Sequence, residues 1–417
     1  MLTILKFPPQ YSFASNPMPF LCQVSSIDEV VNIRITIRRN QYSMPNDWFL
    51  YQNSFKFYPY KKINQNVSPA TTQYLAEFDI SSICKDFAEN LIPFENTYNG
   101  VMQFKVEFLD NNGATLQTKQ NYFIKGGISL ENFIDLQADN KNIFDERFFN
   151  IDAQFIFTTR IMANNTLIFR KSELSNIYFY TKYPNYKYQL AAGSNVISIG
   201  SSLQANNYFR FCNLKEIYDQ LAPADNRISM QAAKMITANP NFTYDVFEEK
   251  FAIQVLDDPA AEEKHIVEFR NSIGVLERIL LTGEPQDISE FADTKFYQTN
   301  ENNFLQNKFL RGSKREKIKV STGYRLSQEI AFIQDLLLSD EVYMIDQESG
   351  TKRPCKISAE DFTWKYKQNL PEAIALNIDF LNDENFYIGD TQLQDINNLQ
   401  DNYGNNILDN EGEQITI

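Results

Sequence analysis

One histidine in 417 residues is the first constraint this sequence imposes. A Ser-His-Asp triad or a multi-histidine metal centre would have to be built around His265 alone. The four cysteines, Cys22, Cys84, Cys212 and Cys355, lie far apart without CxxC spacing. Neither a disulfide framework nor a zinc site is signalled, and a reducing compartment fits them best. No GxGxxG, GxxxxGK[ST] or GxSxG occurs, which removes the common nucleotide-binding and hydrolase signatures. No apolar run approaches the roughly 18 residues a membrane span needs, and the opening MLTILKFPPQ breaks too early for a signal-peptide core. With 39 basic against 53 acidic residues, the net charge of −14 opposes general binding to nucleic acid or to an anionic membrane. Glycine, at 14, is scarce for a long chain, and asparagine takes its place in turn-like stretches such as LDNNGA and MANNTL.

What is abundant is aromatic. Phe 34 and Tyr 22 against Trp 2, set largely in short alternating runs, favour strands over helices. In VNIRITIRRN, Val31, Ile33, Ile35 and Ile37 alternate with polar residues as in a half-buried strand. Met102, Phe104, Val106 and Phe108 do the same before a turn at 110–113, predicting a hairpin. The length exceeds the size of one core, so the chain is divided into sections 1–126, 127–250 and 251–390 with a polar, acidic extension over 391–417. An internal echo links the first two. EFDISSICKDF places Asp79 at a strand end before Ile80, Ile83 and Phe87; FCNLKEIYDQL places Asn213 there before Leu214, Ile217 and Leu221. Both read as strand, N-cap and short helix, so the sections are two copies of one sandwich or two unrelated β domains. The predicted fold is mainly β: two tandem immunoglobulin- or fibronectin-like sandwiches, then a barrel or sandwich with one flanking α-helix.

That helix is predicted over 327–338, with Ser327 as N-cap, Glu329 in the first turn, and Ile330, Ile333, Leu336 and Leu337 as its buried stripe. Before it, Ile318 and Val320 should face inward and Lys317 and Lys319 outward. After it come a hairpin turning at 347–350 and strands at 362–367 and 373–380. RGSKREKIK gathers Arg311, Lys314, Arg315, Lys317 and Lys319 in an otherwise acidic chain, either a solvated face or a docking patch for an acidic partner. The aromatic stretch 48–62 reads as a twisted strand pair or a sugar or protein contact. Acidic residues around His265 (Asp257, Asp258, Glu262 and Glu263) read as a solvated linker entering a strand. DNNGATLQTKQN has its glycine and final position wrong for a calcium loop. No catalytic, metal or cofactor-binding residue is assigned, although the paired carboxylates of a glycosidase have no local spacing to search for.

YSFASNPMPF, AEFDIS, VEFRNSIGVLERILLTGE and VSTGYRLSQEIAFIQDLLLSDEVYMID with RPCKI together resemble a family of tail and baseplate proteins from phages and prophages of Bacteroidetes bacteria. The third section is also similar in layout to the split barrel with flanking helix of tail-tube and distal-tail proteins. The resemblance implies a structural virion protein, made in a bacterial cytoplasm and located in a tail, without enzymatic activity or cofactor. Its partners would be other tail, baseplate or portal-proximal proteins and further copies in a ring. A receptor- or glycan-binding tail module is the first alternative and a carbohydrate hydrolase the second.

Overall fold

The computed structural model describes residues 2–39, 51–64, 71–89, 101–139, 141–148, 155–160, 164–181, 186–199, 208–237, 243–260, 263–291, 296–301, 304–309, 314–325, 329–347, 349–359 and 373–381. Trp48, Arg311, Ser327, the strand expected at 362–367 and the extension 391–417 lie outside them. The protein is mainly β, and no helix among the described residues is long and apolar enough to cross a membrane.

The first section contains β1 (Thr3–Lys6), β2 (Tyr11–Phe13), β3 (Pro19–Val24), β4 (Val31–Arg39), β5 (Tyr51–Phe57), β6 (Tyr60–Asn64), β7 (Thr71–Asp79), α1 (Ser81–Glu89), β8 (Val101–Leu109) and β9 (Thr115–Ile124). They form two sheets, β1-β3-β7-β6 and β2-β9-β8-β4-β5. This is the division of an immunoglobulin-type sandwich, with short β2 running parallel to the last strand. The alternation in the sequence places the core. Ile33, Ile35 and Ile37 on β4 and Phe104, Val106 and Phe108 on β8 meet Phe20, Cys22 and Phe78 from the opposite sheet. Each such large side chain contributes about 1.5–3 kcal/mol of burial. Asp110 closes the β8–β9 hairpin, its carboxylate accepting from the N–H groups of Asn112 and Ala114, with Gly113 at φ +82°. The aromatic stretch 48–62 departs from expectation: β5 and β6 belong to opposite sheets, so the chain crosses the sandwich between them rather than pairing with itself.

The second section contains α2 (Leu130–Ala138), a helix not expected from the sequence, then β10 (Thr166–Arg170), β11 (Asn176–Thr181), β12 (Tyr186–Ala192), β13 (Asn195–Ile199), β14 (Tyr208–Asn213), α3 (Leu214–Leu221), β15 (Arg227–Thr237), β16 (Thr243–Tyr244) and β17 (Glu248–Leu256). Its larger sheet, β10-β17-β15-β12-β13, repeats the order of β2-β9-β8-β4-β5, including the parallel pairing of first and last strands. Its smaller sheet, β11-β14, matches β3-β7. Pro19 lies opposite Asp79, and Asn176 lies opposite Asn213. The residue after each cap also binds alike: Ile80 N–H donates to Met18 O, and Leu214 N–H donates to Ser175 O. The two caps differ in detail. Asn213 accepts from Glu216 N–H inside its helix, while the Asp79 carboxylate accepts from both Ser81 and Met18 N–H groups. The last strand, β17, runs through Leu256 across the boundary expected at 250, because its parallel partner β10 requires it to complete the sheet.

The third section has β18 (Glu263–Arg270), β19 (Leu276–Phe291), β20 (Phe296–Glu301), β21 (Phe304–Phe309), β22 (Lys314–Ser321), α4 (Ile330–Leu338), β23 (Val342–Ile345), β24 (Lys352–Ser358) and β25 (Ala375–Phe380). Six of these close a barrel in the order β18-β19-β22-β25-β24-β23. The hairpins expected at 271–274 and 347–350 are present, with Gly274 at φ +89° and Gly350 at φ +70°. Ile318 and Val320 point into the barrel and Lys319 outward. Ile330, Ile333 and Leu336 are buried, but Leu337 is only half-buried, and Phe332, outside the expected stripe, is covered. Glu329 is the N-cap residue rather than a first-turn residue and makes no side-chain cap bond; its carboxylate accepts from Arg325 instead. Phe332 is covered by Phe269 of the barrel and by the guanidinium of Arg160 from the second section.

Candidate functional site

The side chains with the most unusual environment lie where the three sections meet. The turn 271–274 inserts its tip against the end of the first sandwich: Gly127 N–H donates to Ser272 O at 2.6 Å. A Cβ on Gly274 would stand 1.7 Å from Lys125 O, and one on Gly126 would stand 2.5 Å from Ser272 O. Only glycine permits so close an approach of two backbones. Beneath the turn, Tyr11, Phe13 and Ile124 of the first section pack with Phe144, Phe148, Phe157 and Tyr178 of the second and Ile273 and Val275 of the third. Asn16 ties down the linker, donating to Ile128 O at 2.8 Å and accepting from Ile128 N–H at 2.9 Å. Asp335 of α4 accepts from Ser272 N–H with both oxygens at 3.0 Å. Lys125 and Arg270 both reach Glu341.

Between the second sandwich and the barrel lies a buried ionic network. Glu173 and Arg325 are each 1% exposed, and Arg160 and Glu277 are each 5% exposed. Arg325 donates to Glu173 Oε1 at 2.8 Å, to Leu280 O at 2.6 Å, to Thr322 O at 2.9 Å and to Glu329 Oε1 at 3.0 Å. Arg160 lies 3.1 Å from Glu173 and donates to Arg278 O and Ile168 O, and its guanidinium stacks 4.0 Å from the centre of the Phe332 ring. Glu277 accepts from Thr158 Oγ1, Thr159 N–H and Asn271 Nδ2. Burial acts to raise the Glu173 carboxyl, but Arg325, Arg160 and the Leu280 N–H outweigh it and hold the group down at about 2. For Glu277, burial wins over Arg160 and the hydrogen bonds, and its carboxyl lies above the usual range; Asp335 is raised by burial in the same way. These carboxylates are enclosed and engaged by protein donors. Their arrangement ties the second section to the barrel through Arg325–Glu173 and Arg160–Arg278 O.

Of the expected docking residues, Lys314, Arg315, Lys317 and Lys319 lie along one strand, β22. Lys314 and Arg315 begin β22, opposite Phe291 and Glu290 of β19. Lys317 sits 3.5 Å from Asp379 on β25, and Lys319 is exposed beside Asn377. Asp257 pairs with Lys171 at 2.6 Å, and Asp258 accepts from Ser172 N–H and Oγ, so both join the second sandwich to the linker. His265 lies half-buried on β18 opposite Leu281. Among the described residues, no three His, Cys, Asp or Glu side chains are grouped to hold a metal ion.

The network escaped the sequence reading because its members are 152 residues apart at the Arg325–Glu173 pair and 119 at the Thr158–Glu277 pair. One signal was available: Glu277 interrupts the apolar run GVLERILL, where an uncompensated charge would be costly. The fold and this junction define a mainly β protein in which two β-sandwiches are tied to a closed six-stranded barrel. Compared with family models and with curated protein sequences, the chain matches none.

Proposed function

We propose that this chain is a structural component of a bacteriophage tail or baseplate, acting through contacts with neighbouring subunits. The observation that carries this reading is the arm of the barrel. β19 spans sixteen residues, yet β18 pairs only with its first half, through Gly283. The remainder pairs with the start of β22, and β20 and β21 form a two-stranded sheet by themselves. Among the described residues, no third strand lies along β20 and β21. A two-stranded ribbon is marginal alone, and its open edges are templates for strands of another chain. The resemblance of YSFASNPMPF, VEFRNSIGVLERILLTGE and VSTGYRLSQEI to tail proteins agrees with this reading, because Tyr11, Asn16, Glu277 and Arg325 of those stretches all lie at the junction.

The test replaces residues 287–315 with a two-residue Asn-Gly turn. The variant is expected to retain its β-sheet circular dichroism and to lose ring formation or incorporation into tails in electron micrographs. Unchanged assembly by the folded variant refutes the arm's role. A second reading, binding to a receptor or surface glycan, is supported by Tyr58 and Tyr60, which are 74% and 44% exposed where the chain crosses between β5 and β6. Glycan binding that disappears on changing both to Ser would favour it.

A further inference from the structure

The outer face of the barrel over β22, β25 and β24 carries more positive than negative charge. Asp379 at its centre lies opposite Lys317 on one side and Lys356 on the other, so one carboxylate faces two ammonium groups. In the next row Lys319, Asn377 and Ser358 stand side by side, adding a third cation and no anion. Lys319 and Lys356 are exposed. The chain leaves the barrel on this same surface: β25 ends at Phe380, and Leu381 N–H donates to Pro354 O, two residues from Lys356. From 382 to 417 the sequence has eight Asp and Glu and no Lys or Arg. More than half of the net charge of −14 thus resides in a segment anchored beside a basic face.

We infer that the acidic segment 382–417 docks on the basic face of β22, β25 and β24 within the same molecule. Charge complementarity selects the occupant, and the tether selects the copy. A segment attached at Leu381 is present at an effective concentration near the millimolar range, far above that of any free partner. Its 36 residues can extend to roughly 120 Å, whereas neighbouring strands of the face are only about 4.8 Å apart. The inference does not depend on the assembly reading, since it concerns the isolated chain.

Zero-length carbodiimide coupling of the full chain tests it, using a mixture of isotopically light and heavy protein analysed by mass spectrometry. Carboxylates in 382–417 should couple to Lys319 or Lys356 within one isotopic copy, and the links should vanish in about 1 M salt, where the screening length is about 3 Å. Changing the eight acidic residues of the segment to Asn or Gln should abolish the links and speed acylation of Lys319 and Lys356 several-fold. Links joining light to heavy protein would assign the face to the segment of a second copy and overturn the intramolecular inference. Absence of links to this face, or unchanged acylation of both lysines in the neutralised variant, would overturn docking itself.

Discussion

Replacing Arg325 with Met tests whether the buried network holds the second sandwich to the barrel. The substitution keeps an elongated apolar stem of similar bulk but removes four hydrogen bonds, those to Glu173, Glu329, Leu280 O and Thr322 O. Glu173 retains Arg160 at 3.1 Å, so its charge is only partly abandoned. Breaking one partner out of a buried pair costs about 3–5 kcal/mol, a range that already includes the stranded acceptors. That is a large share of the 5–15 kcal/mol typical of a domain. In scanning calorimetry, the second sandwich and barrel should unfold together in the native protein and at separate temperatures in Arg325→Met. Glu173→Gln adds a pH signature. The Glu173 carboxyl lies below its ordinary value of 4.5, so its ionised form contributes stability above pH 4.5 that fades as the pH falls toward about 2. The stability gap between native protein and Glu173→Gln should therefore be full above pH 4.5 and narrow steadily toward pH 2. A cost below about 1 kcal/mol for Arg325→Met, or a gap insensitive to pH, would refute the argument that this network stabilises the junction.

Three further outcomes are expected. Gly274→Ala should cost more than the roughly 1–2 kcal/mol of left-handed backbone alone, because its Cβ would meet Lys125 O; proteolysis should then cut more readily near the 125–128 linker, and unchanged cleavage counts against the docked turn. Leu336→Asp would bury a carboxylate in the barrel core at a cost of several kcal/mol, so the purified variant should lose cooperative melting, and a native-like melt would contradict the packed-helix assignment. Burial pushes the Cys22, Cys212 and Cys355 thiols up to about 12 and raises Cys84 as well, so an aromatic disulfide reagent should titrate none of the four until denaturant is added. Rapid reaction of any thiol in the native protein would show that site to be open.

Much of the architecture was legible locally. Alternation over 31–37 and 102–108 identified two core strands, since side chains on successive strand residues point to opposite faces. The paired caps Asp79 and Asn213 identified the repeat, because strand, cap and apolar helix stripe are all short-range patterns. Local periodicity was less informative for α4. It marked Ile333 and Leu336, yet overestimated Leu337 and passed over Phe332, whose cover comes from Phe269 and from the Arg160 guanidinium of the second section. For 48–62, local pattern suggested two strands but could not tell which sheet each would join.

Composition, alternation and capping residues by themselves determined a β-rich chain with three sections and one core-facing helix in the last. These depend on contacts a few residues apart and on the chemistry of single side chains. Tertiary structure alone decided that the charges of Glu173, Arg325, Arg160 and Glu277 converge at one junction, that Gly126 and Gly274 meet backbone to backbone, and that Lys317 and Lys356 flank Asp379. Such placements follow from closing loops that reach 152 residues at the Arg325–Glu173 pair, where the stability of a buried charge depends on which distant partner the fold delivers to it.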